Sequence, residues 1–358
     1  MSMEFHGLQV RSIVPEGDDA VVLDLAIPPE FRSQYEFEPG QHLTLRRLFD
    51  GQDVRRSYSI CSAERRGLQI GVRKVPGGLF SSWIHDNLAA GASVDVMPPQ
   101  GRFGKASLQA DARHVLGVAG GSGITPILAI MSAFLEADPS HHFTLLYGNR
   151  TQRSTMFKEQ LEDLKNRFLD RLAIHLLFSR EHTDSPLNSG RMTEEKVAEF
   201  LSLLVDVRSI DEAFVCGPHE VNDAVERALL RAGMSADHIH VERFGVPDEV
   251  RNAAAPAAGI EREVPQATVT LVRDGIRRSF DYRAEDGSVL EAAARAGLEV
   301  PFSCRSGVCC TCRAKLLEGQ VRMARNFSLE RKELDQGFIL TCQSHPLSAA
   351  ITISFDER

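Results

Sequence analysis

The sequence lacks the features that would place this chain in a membrane or outside the cell. No apolar run approaches the ~20 residues that a membrane-spanning helix needs. The first residues, MSMEFHGLQV, carry an acidic side chain early and contain no apolar core of a secretion signal. The chain has no internal repeat or low-complexity block, and its 358 residues are enough for two or three globular domains. We expect a cytoplasmic protein that binds no membrane.

Three further absences limit the kinds of site and partner that the chain can have. The twelve histidines show no spacing typical of metal ligands or of a catalytic triad. Three of the seven cysteines, at positions 61, 216 and 310, follow no disulfide pattern, which fits a reducing compartment. The net charge is −8, and nothing in the sequence indicates a nucleic-acid partner.

Four cysteines near the end of the chain are the strongest positive signal: Cys304, Cys309, Cys312 and Cys342. Their C-x4-C-x2-C spacing, followed by a distant fourth cysteine, is the plant-type ligand pattern of a [2Fe–2S] cluster. A four-cysteine zinc site is the alternative, although zinc ligands usually come as two short pairs. Cys310 is a fifth thiol whose spacing does not fit, and we interpret it as a small packing residue.

The charge around these cysteines differs from that of the rest of the chain. The segment from Ala267 to Arg358 carries 13 basic and 12 acidic side chains, so the net negative charge lies before it. Near the cysteines, the sequence has five basic residues and one acidic residue, Glu318. The basic residues are Arg305, Arg313, Lys315, Arg322 and Arg325. An ordinary solvated surface is one explanation, and a docking face for an acidic partner is the other.

The hydrophobic pattern divides the chain into three domains. Short β-rich stretches separated by Gly or Pro predict a small antiparallel barrel at the start. These stretches are 20–27, 41–48, 55–62, 68–75 and 93–99. Strands and helices then alternate, which predicts a parallel sheet with helices on both faces. The predicted strands are 114–120, 143–150, 172–180 and 211–218, and the predicted helices include 126–137 and 157–168.

These patterns predict domain limits as well. We predict a flavin barrel over 1–107 and a nucleotide-binding α/β domain over 108–245. A stretch rich in Ala, Pro and charge then predicts a linker over 246–266. A third compact domain over 267–358 carries the four cysteines.

A glycine-rich turn follows the first strand of the predicted parallel sheet. It reads G-G-S-G-I-T-P over 120–126 and opens a helix. Glycines let a pyrophosphate approach the backbone, and a helix N-terminus favours its negative charge. We therefore assign Gly121, Gly123, Thr125 and Pro126 to a dinucleotide.

Two later strand ends carry residues suited to an adenosine 2′-phosphate. One is Asn149-Arg150, with Arg153 close behind, and the other is Ser179-Arg180, with Arg191 following. An acidic residue there would hydrogen-bond a free 2′-hydroxyl, whereas Arg with Ser suits a phosphate. The sequence therefore predicts NADPH over NADH, with ordinary surface arginines as the alternative.

A third strand end reads Cys216-Gly217-Pro218. It belongs to the ligand-facing edge of such a sheet, where a small residue would let a nicotinamide approach. A lone cysteine at this place is also a common packing residue.

The barrel region holds the components of a flavin dinucleotide site. Tyr58 offers a flat ring for stacking, and a Gly/Ser-rich helix start at 77–82 suits phosphate. The candidate flavin residues are Arg56, Ser57, Tyr58, Ser59, Arg73, Lys74, Gly78, Leu79, Phe80, Ser81 and Ser82.

In this domain order, the chain resembles the ferredoxin–NADP⁺ reductase superfamily fused to a C-terminal plant-type ferredoxin. The motifs are R-S-Y-S (56–59), G-L-F-S (78–81), G-G-S-G-I-T-P (120–126), Y-G-N-R (147–150), C-G-P (216–218) and E-R-F (242–244). The resemblance implies FAD, with FMN as the alternative because relatives of the same domain order include FMN enzymes. It further implies a β-grasp fold for the ferredoxin domain, and Tyr58, Ser59 and Cys216 at the reacting rings. It also implies that Arg56 holds the diphosphate, Ser81 caps the phosphate-binding helix and Phe244 packs near the flavin.

The resemblance also implies a path for electrons, from NADPH to FAD to the [2Fe–2S] cluster and on to an oxygenase. The stretches R-N-F-S-L-E (325–330) and F-I-L-T-C-Q-S-H-P (338–346) look like those of reductase subunits of phenylacetyl-CoA epoxidase complexes, whose oxygenase is a di-iron enzyme. A reductase of another Rieske or di-iron oxygenase would share every cofactor motif. The alternative in which the chain is not an enzyme is a zinc-stabilised nucleotide-binding protein.

Overall fold

The computed structural model describes residues 4–63, 67–104, 112–245 and 264–357. The chain forms two compact units, Met1–Phe244 and Gly245–Arg358. The predicted boundary at residues 107 and 108 and the predicted linker as far as residue 263 lie outside the described residues. Among those that are described, no helix is long and apolar enough to cross a membrane.

The first unit begins with a six-stranded antiparallel barrel in the order β4-β3-β6-β1-β2-β5. Its strands are β1 (His6–Glu16), β2 (Ala20–Ala26), β3 (His42–Phe49), β4 (Gln52–Ser59), β5 (Leu68–Arg73) and β6 (Ser93–Gln100). A bridge between Ile60 and Ile70 joins the ends of β4 and β5. Alternate side chains fill the interior, and helix α1 (Leu79–Asn87) buries Phe80, Trp83 and Ile84 against it.

The same unit continues into a five-stranded parallel sheet in the order β11-β10-β7-β8-β9. These strands are β7 (His114–Gly120), β8 (His142–Asn149), β9 (Leu172–Phe178), β10 (Glu212–Gly217) and β11 (Ile239–Arg243). The connecting helices are α2 (Ile124–Ala137), α3 (Lys158–Arg167), α4 (Glu194–Leu204) and α5 (His219–Arg231). Because helices cover the sheet, β7 and β10 are apolar along almost their whole length.

The second unit is the predicted β-grasp fold. A mixed sheet runs in the order β13-β12-β18-β14-β16, and β15 pairs with β17 beside it. The strands are β12 (Gln266–Arg273), β13 (Ile276–Arg283), β14 (Arg313–Glu318), β15 (Val321–Met323), β16 (Phe338–Leu340), β17 (Ser344–Pro346) and β18 (Ala350–Ser354). Helix α6 (Val289–Arg295) packs four buried side chains against the sheet, and α7 (Arg331–Asp335) precedes β16.

Candidate functional site: a flavin, dinucleotide and cluster centre

Strand β4 carries the R-S-Y-S motif to one edge of the barrel. The Tyr58 ring lies 6.3 Å from the Phe80 ring at an interplanar angle of 48°. Burial raises the pKa of the Tyr58 hydroxyl above its ordinary value, so the ring is neutral at physiological pH. The Arg56 guanidinium is exposed and donates to the Arg55 carbonyl at 2.7 Å. An aromatic face and an exposed cation therefore stand on one strand, as a flavin diphosphate would require.

Helix α1 begins at the Gly/Ser-rich turn of the barrel. No side chain of the described residues caps this helix, so its first N–H groups suit an anion. The Ser81 hydroxyl accepts from Val75 N at 3.1 Å and donates to the Gly78 carbonyl at 3.4 Å. A Cβ on Gly78 would stand 2.7 Å from that hydroxyl. Ser81 thus closes the turn that precedes the helix, and glycine is required for the closure.

A hydrogen bond links the barrel to the last strand of the parallel sheet. The Ser59 hydroxyl donates to Glu242 Oε2 at 3.1 Å. Asn222 Nδ2 donates to the Glu242 carbonyl at 3.0 Å, which fixes the backbone beneath the carboxyl group. Burial raises the pKa of Glu242 to about 7, and the Ser59 hydrogen bond only partly opposes this. The motif E-R-F contains Glu242, but the sequence reasoning gave this residue no role.

Cys216 lies beside Glu242 in the register of β10 and β11. Its side chain is fully buried. Burial, with a smaller contribution from Glu242, raises the pKa of the thiol well above its ordinary value. Cys216 is therefore a neutral thiol, which fits a small packing residue at the end of the strand and does not fit a nucleophile.

The glycine-rich turn after β7 packs directly on this strand end. A Cβ on Gly123 would lie 1.9 Å from the Cys216 carbonyl oxygen, so no other residue fits there. Gly121 has a φ of +54°, and a Cβ there would meet Nη1 of Arg73 at 2.7 Å. Thr125 donates to the Ser122 carbonyl at 3.0 Å and closes the turn, while Pro126 lies in the first turn of α2. The turn has the backbone approach and the helix start that a pyrophosphate needs.

The ends of β8 and β9 meet at this edge of the sheet. Ser179 N donates to the Asn149 carbonyl at 2.9 Å, and Arg180 N donates to the Arg150 carbonyl at 2.8 Å. Among the described residues, the buried Asn149 amide nitrogen and oxygen have no hydrogen-bond partner. A buried polar side chain of this kind is a position at which a ligand would complete the hydrogen bonding.

Arg73, the last residue of β5, and Lys74, which follows it, have different partners. The sequence assigns both to a flavin diphosphate, but the Arg73 guanidinium lies beside Gly121 and donates to the Ser154 carbonyl at 2.6 Å. Lys74 forms an ion pair with Asp86 at 2.6 Å. Arg73 therefore lies next to the dinucleotide turn.

The four predicted cluster ligands of the second unit form two close pairs. Cys304 and Cys309 are hydrogen-bonded through their side chains, which lowers the pKa of Cys304 and raises that of Cys309. Cys312 and Cys342 form the same kind of pair, with the pKa of Cys342 lowered. Within the described ranges, no three His, Cys, Asp or Glu side chains are arranged to hold one metal ion. Two pairs of thiols suit a two-iron cluster, with one pair per iron, better than a single zinc ion.

Backbone N–H groups of the cluster loop point at these sulfurs. Ser306 N donates to Cys304 Sγ at 3.4 Å, and Cys304 N donates to Cys309 Sγ at 3.5 Å. Gln343 Nε2 lies 3.6 Å from Cys342 Sγ and also donates to the Arg305 carbonyl at 3.0 Å. Such donors stabilise thiolate ligands and tune a cluster's potential.

Cys310 has a hydrogen-bond partner outside this set. Its Sγ donates to the Ser328 carbonyl at 3.3 Å, and burial raises the pKa of its thiol to about 12. Cys310 also has a φ of +53°, a left-handed backbone conformation that is uncommon for a residue with a side chain. This geometry favours the interpretation of Cys310 as a packing residue.

Three family models match the chain in the same order as these sites. They are an oxidoreductase FAD-binding domain over residues 8–104, an oxidoreductase NAD-binding domain over 118–227 and a 2Fe-2S iron-sulfur cluster binding domain over 272–347. One of the subunits of 1,2-phenylacetyl-CoA epoxidase from Escherichia coli K12 is 40% identical over 355 residues, which cover 99% of this chain and 98% of that protein. The chain belongs to the family of FAD- and 2Fe-2S-containing oxygenase reductases.

Other members of the family align over the same length. The ferredoxin reductase component of 3-ketosteroid-9-alpha-monooxygenase from Mycobacterium tuberculosis is 34% identical, over 98% of this chain and 96% of that protein. Among solved structures, phthalate dioxygenase reductase covers 98% of both chains at 26% identity, with a TM-score of 0.59. This reductase therefore has the three cofactor domains predicted from its sequence, and its fold is confirmed.

Several of the predicted site residues in the first unit contact one another. Ser59 donates to Glu242, Tyr58 lies beside Phe80 of α1, and the turn at 120–126 packs against Cys216-Gly217-Pro218. Phe244 is 45% exposed at the end of β11, close to Glu242 in the chain. The individual roles of these residues stay predictions, and they are taken up below.

Proposed function

We propose that this reductase carries electrons from NADPH through FAD and the [2Fe–2S] cluster to the di-iron oxygenase of a phenylacetyl-CoA 1,2-epoxidase complex in phenylacetate catabolism. The 40% identity to the E. coli epoxidase protein, over almost the full length of both chains, is the observation that carries the proposal. The cysteine spacing and the two nucleotide motifs support the electron path itself.

When bound, FAD accepts a hydride from the nicotinamide, and the [2Fe–2S] cluster passes single electrons. The residues of the chain bind and orient the reactants. The Tyr58 ring offers a stacking face, Arg56 and the start of α1 offer charge for the diphosphate, and Glu242 fixes the orientation of the Ser59 hydroxyl. Cys304, Cys309, Cys312 and Cys342 are the proposed cluster ligands. No side chain needs to act as a general acid or base.

The arginines at the strand ends support a preference for NADPH. Arg153, Arg180 and Arg191 are exposed, and none of them pairs with a carboxylate in the described part of the chain. Glu181, which follows Arg180, is a carboxylate that could instead bind a free 2′-hydroxyl, but its Oε2 already accepts from Gln152 N at 2.7 Å. We expect Arg180→Ala to lower kcat/KM for NADPH much more than for NADH. An unchanged ratio would refute the assignment.

For the partner, we propose that the basic residues near the cluster dock on an acidic surface. Arg322 of β15 and Arg325, which follows that strand, are the candidates, because the Arg325 carbonyl lies 3.3 Å from the Cβ position of cluster-loop Gly307. Arg305, Arg313 and Lys315 form ion pairs with Glu291, Glu333 and Glu357 of their own unit.

Charge reversal tests this docking surface. Arg322→Glu with Arg325→Glu should slow electron delivery to the oxygenase while flavin reduction by NADPH keeps its rate. Arg277→Glu with Arg278→Glu is the matched control, because it makes the same charge change on edge strand β13. Equal slowing by both pairs would point to general charge repulsion and not to a docking face.

The partner is identified by coupled turnover. We would measure NADPH oxidation with purified phenylacetyl-CoA epoxidase oxygenase subunits, with and without phenylacetyl-CoA, alongside reduction of cytochrome c. The proposal expects oxidation that depends on phenylacetyl-CoA and yields product in proportion. Fast cytochrome c reduction without coupling would instead favour another oxygenase, as in the 3-ketosteroid relative.

We also propose that the protein works in the cytoplasm. Its cysteines are free thiols, including Cys61, Cys216 and Cys310 outside the proposed ligand set, which suits a reducing compartment. Cell fractionation with an antibody to the chain would test this, and recovery with periplasmic markers would contradict it.

A further inference from the structure

The turn between β1 and β2 of the barrel packs against the segment that follows β8 of the parallel sheet. Glu16 Oε1 accepts from Phe157 N at 2.7 Å. A Cβ on Gly17, which has a φ of +60°, would lie 3.0 Å from the Arg153 carbonyl. The barrel thus reaches the sheet edge at which the predicted 2′-phosphate arginines lie. No motif in the sequence indicates this contact.

Asp19 ends this turn and binds two arginines with one carboxylate. Its Oδ1 lies 3.0 Å from Nε of Arg73, and its Oδ2 pairs with Nη2 of Arg150. The Asp19 carbonyl accepts from Lys74 N at 2.7 Å, which holds the residue by its backbone. The Asp19 side chain is 26% exposed and that of Arg73 is 18% exposed, so both groups of this pair are largely shielded from water.

The two arginines have different positions in the site. Arg73 is fixed between Asp19 and the Ser154 carbonyl, with its guanidinium beside Gly121 of the dinucleotide turn. Arg150 is 46% exposed at the end of β8, next to Arg180. Asp19 therefore orients one cation toward the pyrophosphate turn and offsets the charge of another at the predicted 2′-phosphate position.

We propose that Asp19 is a specificity-determining residue for the dinucleotide. Its carboxylate weakens the attraction between Arg150 and a 2′-phosphate, so that the reductase discriminates less strongly between NADPH and NADH than its strand-end arginines would otherwise allow. This inference rests on the proposed function, because it takes that sheet edge as the adenosine end of the dinucleotide site.

Removing the charge of Asp19 while keeping its shape is the direct test. Asp19→Asn should raise the ratio of kcat/KM for NADPH to kcat/KM for NADH about fivefold, as expected for one partly exposed ion pair. Loosening of Arg73 would affect both dinucleotides alike, because both carry the pyrophosphate. Asp19→Glu keeps the charge and should keep the ratio near that of the wild type.

Equilibrium binding gives a readout that does not depend on turnover. By calorimetry on the FAD-loaded protein, Asp19→Asn should bind adenosine 2′,5′-bisphosphate about fivefold more tightly and should change the affinity for AMP little. In an Arg150→Ala background, the same substitution should have no such effect, because the Arg150 guanidinium with which Asp19 interacts is absent.

The outcomes separate this inference from the function on which it rests. Equal changes for both adenosine probes, or a full effect without Arg150, would overturn the role of Asp19. A wild type that prefers NADH would overturn the NADPH preference proposed above. The Asp19 test would still stand in that case, since it compares each variant with its own parent.

Discussion

The two units of the molecule build their sites in different ways. In the second unit, three of the four proposed cluster ligands lie within nine residues, from Cys304 to Cys312. In the first unit, Ser59 meets Glu242 across 183 residues of sequence, and Gly123 packs on the carbonyl of Cys216. A local site is specified by the spacing of reactive side chains, whereas a distributed site depends on how closely distant backbones approach.

The two sites also differ in the residues that cannot be substituted without loss. The cluster loop needs particular side-chain atoms, and its backbone supplies supporting N–H groups to those sulfurs. The dinucleotide turn needs the absence of a side chain, because a Cβ on Gly123 has no space. Substitutions should therefore remove the cofactor in one unit and disturb packing in the other.

The largest expected effect is loss of the cluster from the second unit. Cys342→Ser removes a thiolate that one iron needs, so we expect the purified variant to lose most of its iron and its Fe–S absorption while it keeps FAD. Iron and sulfide analysis with visible spectroscopy would measure this. Cys310→Ser is the matched control, because its sulfur faces the Ser328 carbonyl.

The control also decides which thiols bind iron. Retention of iron by Cys310→Ser, together with its loss from Cys342→Ser, is the expected pattern. If Cys310→Ser loses the cluster and Cys309→Ser keeps it, the ligand assignment in this loop is wrong.

The second effect concerns the distributed site. Gly123→Ala would force a Cβ to within 1.9 Å of the Cys216 carbonyl oxygen, and backbone atoms cannot yield as a flexible side chain can. We expect a loss of at least about 3 kcal/mol in unfolding free energy, in the range of severe core overpacking. Thermal unfolding followed by circular dichroism would measure it.

Gly7→Ala is the control for this change. Gly7 lies in β1, and among the described residues a Cβ there would meet only the Ser93 hydroxyl, at 3.0 Å. Its substitution should cost much less. If the two alanine variants lose the same unfolding free energy, the close packing of Gly123 on the Cys216 carbonyl does not explain the loss.

Much of this architecture can be predicted from the sequence, because long elements with clear hydrophobic periodicity and local motifs can be recognised there. The strand over 114–120 was predicted with its observed limits, and α2 begins two residues before its predicted start. The predictions omitted strand β1 (His6–Glu16), although its side chains alternate between buried and exposed. Its polar outward face and its proline make it less apolar than the other strands.

What the sequence does not reveal are the contacts between distant segments. Nothing in the sequence distinguishes Glu242 from the other glutamates. Its pKa shift depends on the fold, which places it beside Ser59 and partly buries it. Asp19 acquires its two arginines only because the barrel turn reaches the end of β8. The position of Arg73 beside Gly121 depends on the same packing.

The third prediction tests Glu242, a partly buried residue of the distributed site. Its pKa is raised from 4.5 to about 7, so the folded chain binds this proton more tightly than the unfolded chain does. The resulting stabilisation is complete below the unfolded pKa and is lost as the pH rises toward 7, by up to about 3 kcal/mol. Glu242→Gln should therefore flatten the fall in stability between about pH 4.5 and pH 7.

Melting temperatures of the wild type and Glu242→Gln, measured across this pH window, would test the effect. The two curves should converge at low pH, where both side chains are neutral, and separate near pH 7 with the variant more stable. Parallel curves would indicate that Glu242 remains ionised in the folded protein. A local site such as the cluster loop offers no equivalent test, because its titration depends on the metal.

The smallest expected effect lies at the start of α1. Ser81→Ala leaves Val75 N without its acceptor in a partly buried turn, which should cost about 1–2 kcal/mol and weaken FAD retention. Thermal unfolding and FAD release on dilution would measure both. Ser132→Ala in α2 is the matched control, because that hydroxyl is buried without a partner among the described residues and should be dispensable. If both alanines destabilise the protein equally and neither releases FAD, closure of the turn by Ser81 does not contribute to the flavin site.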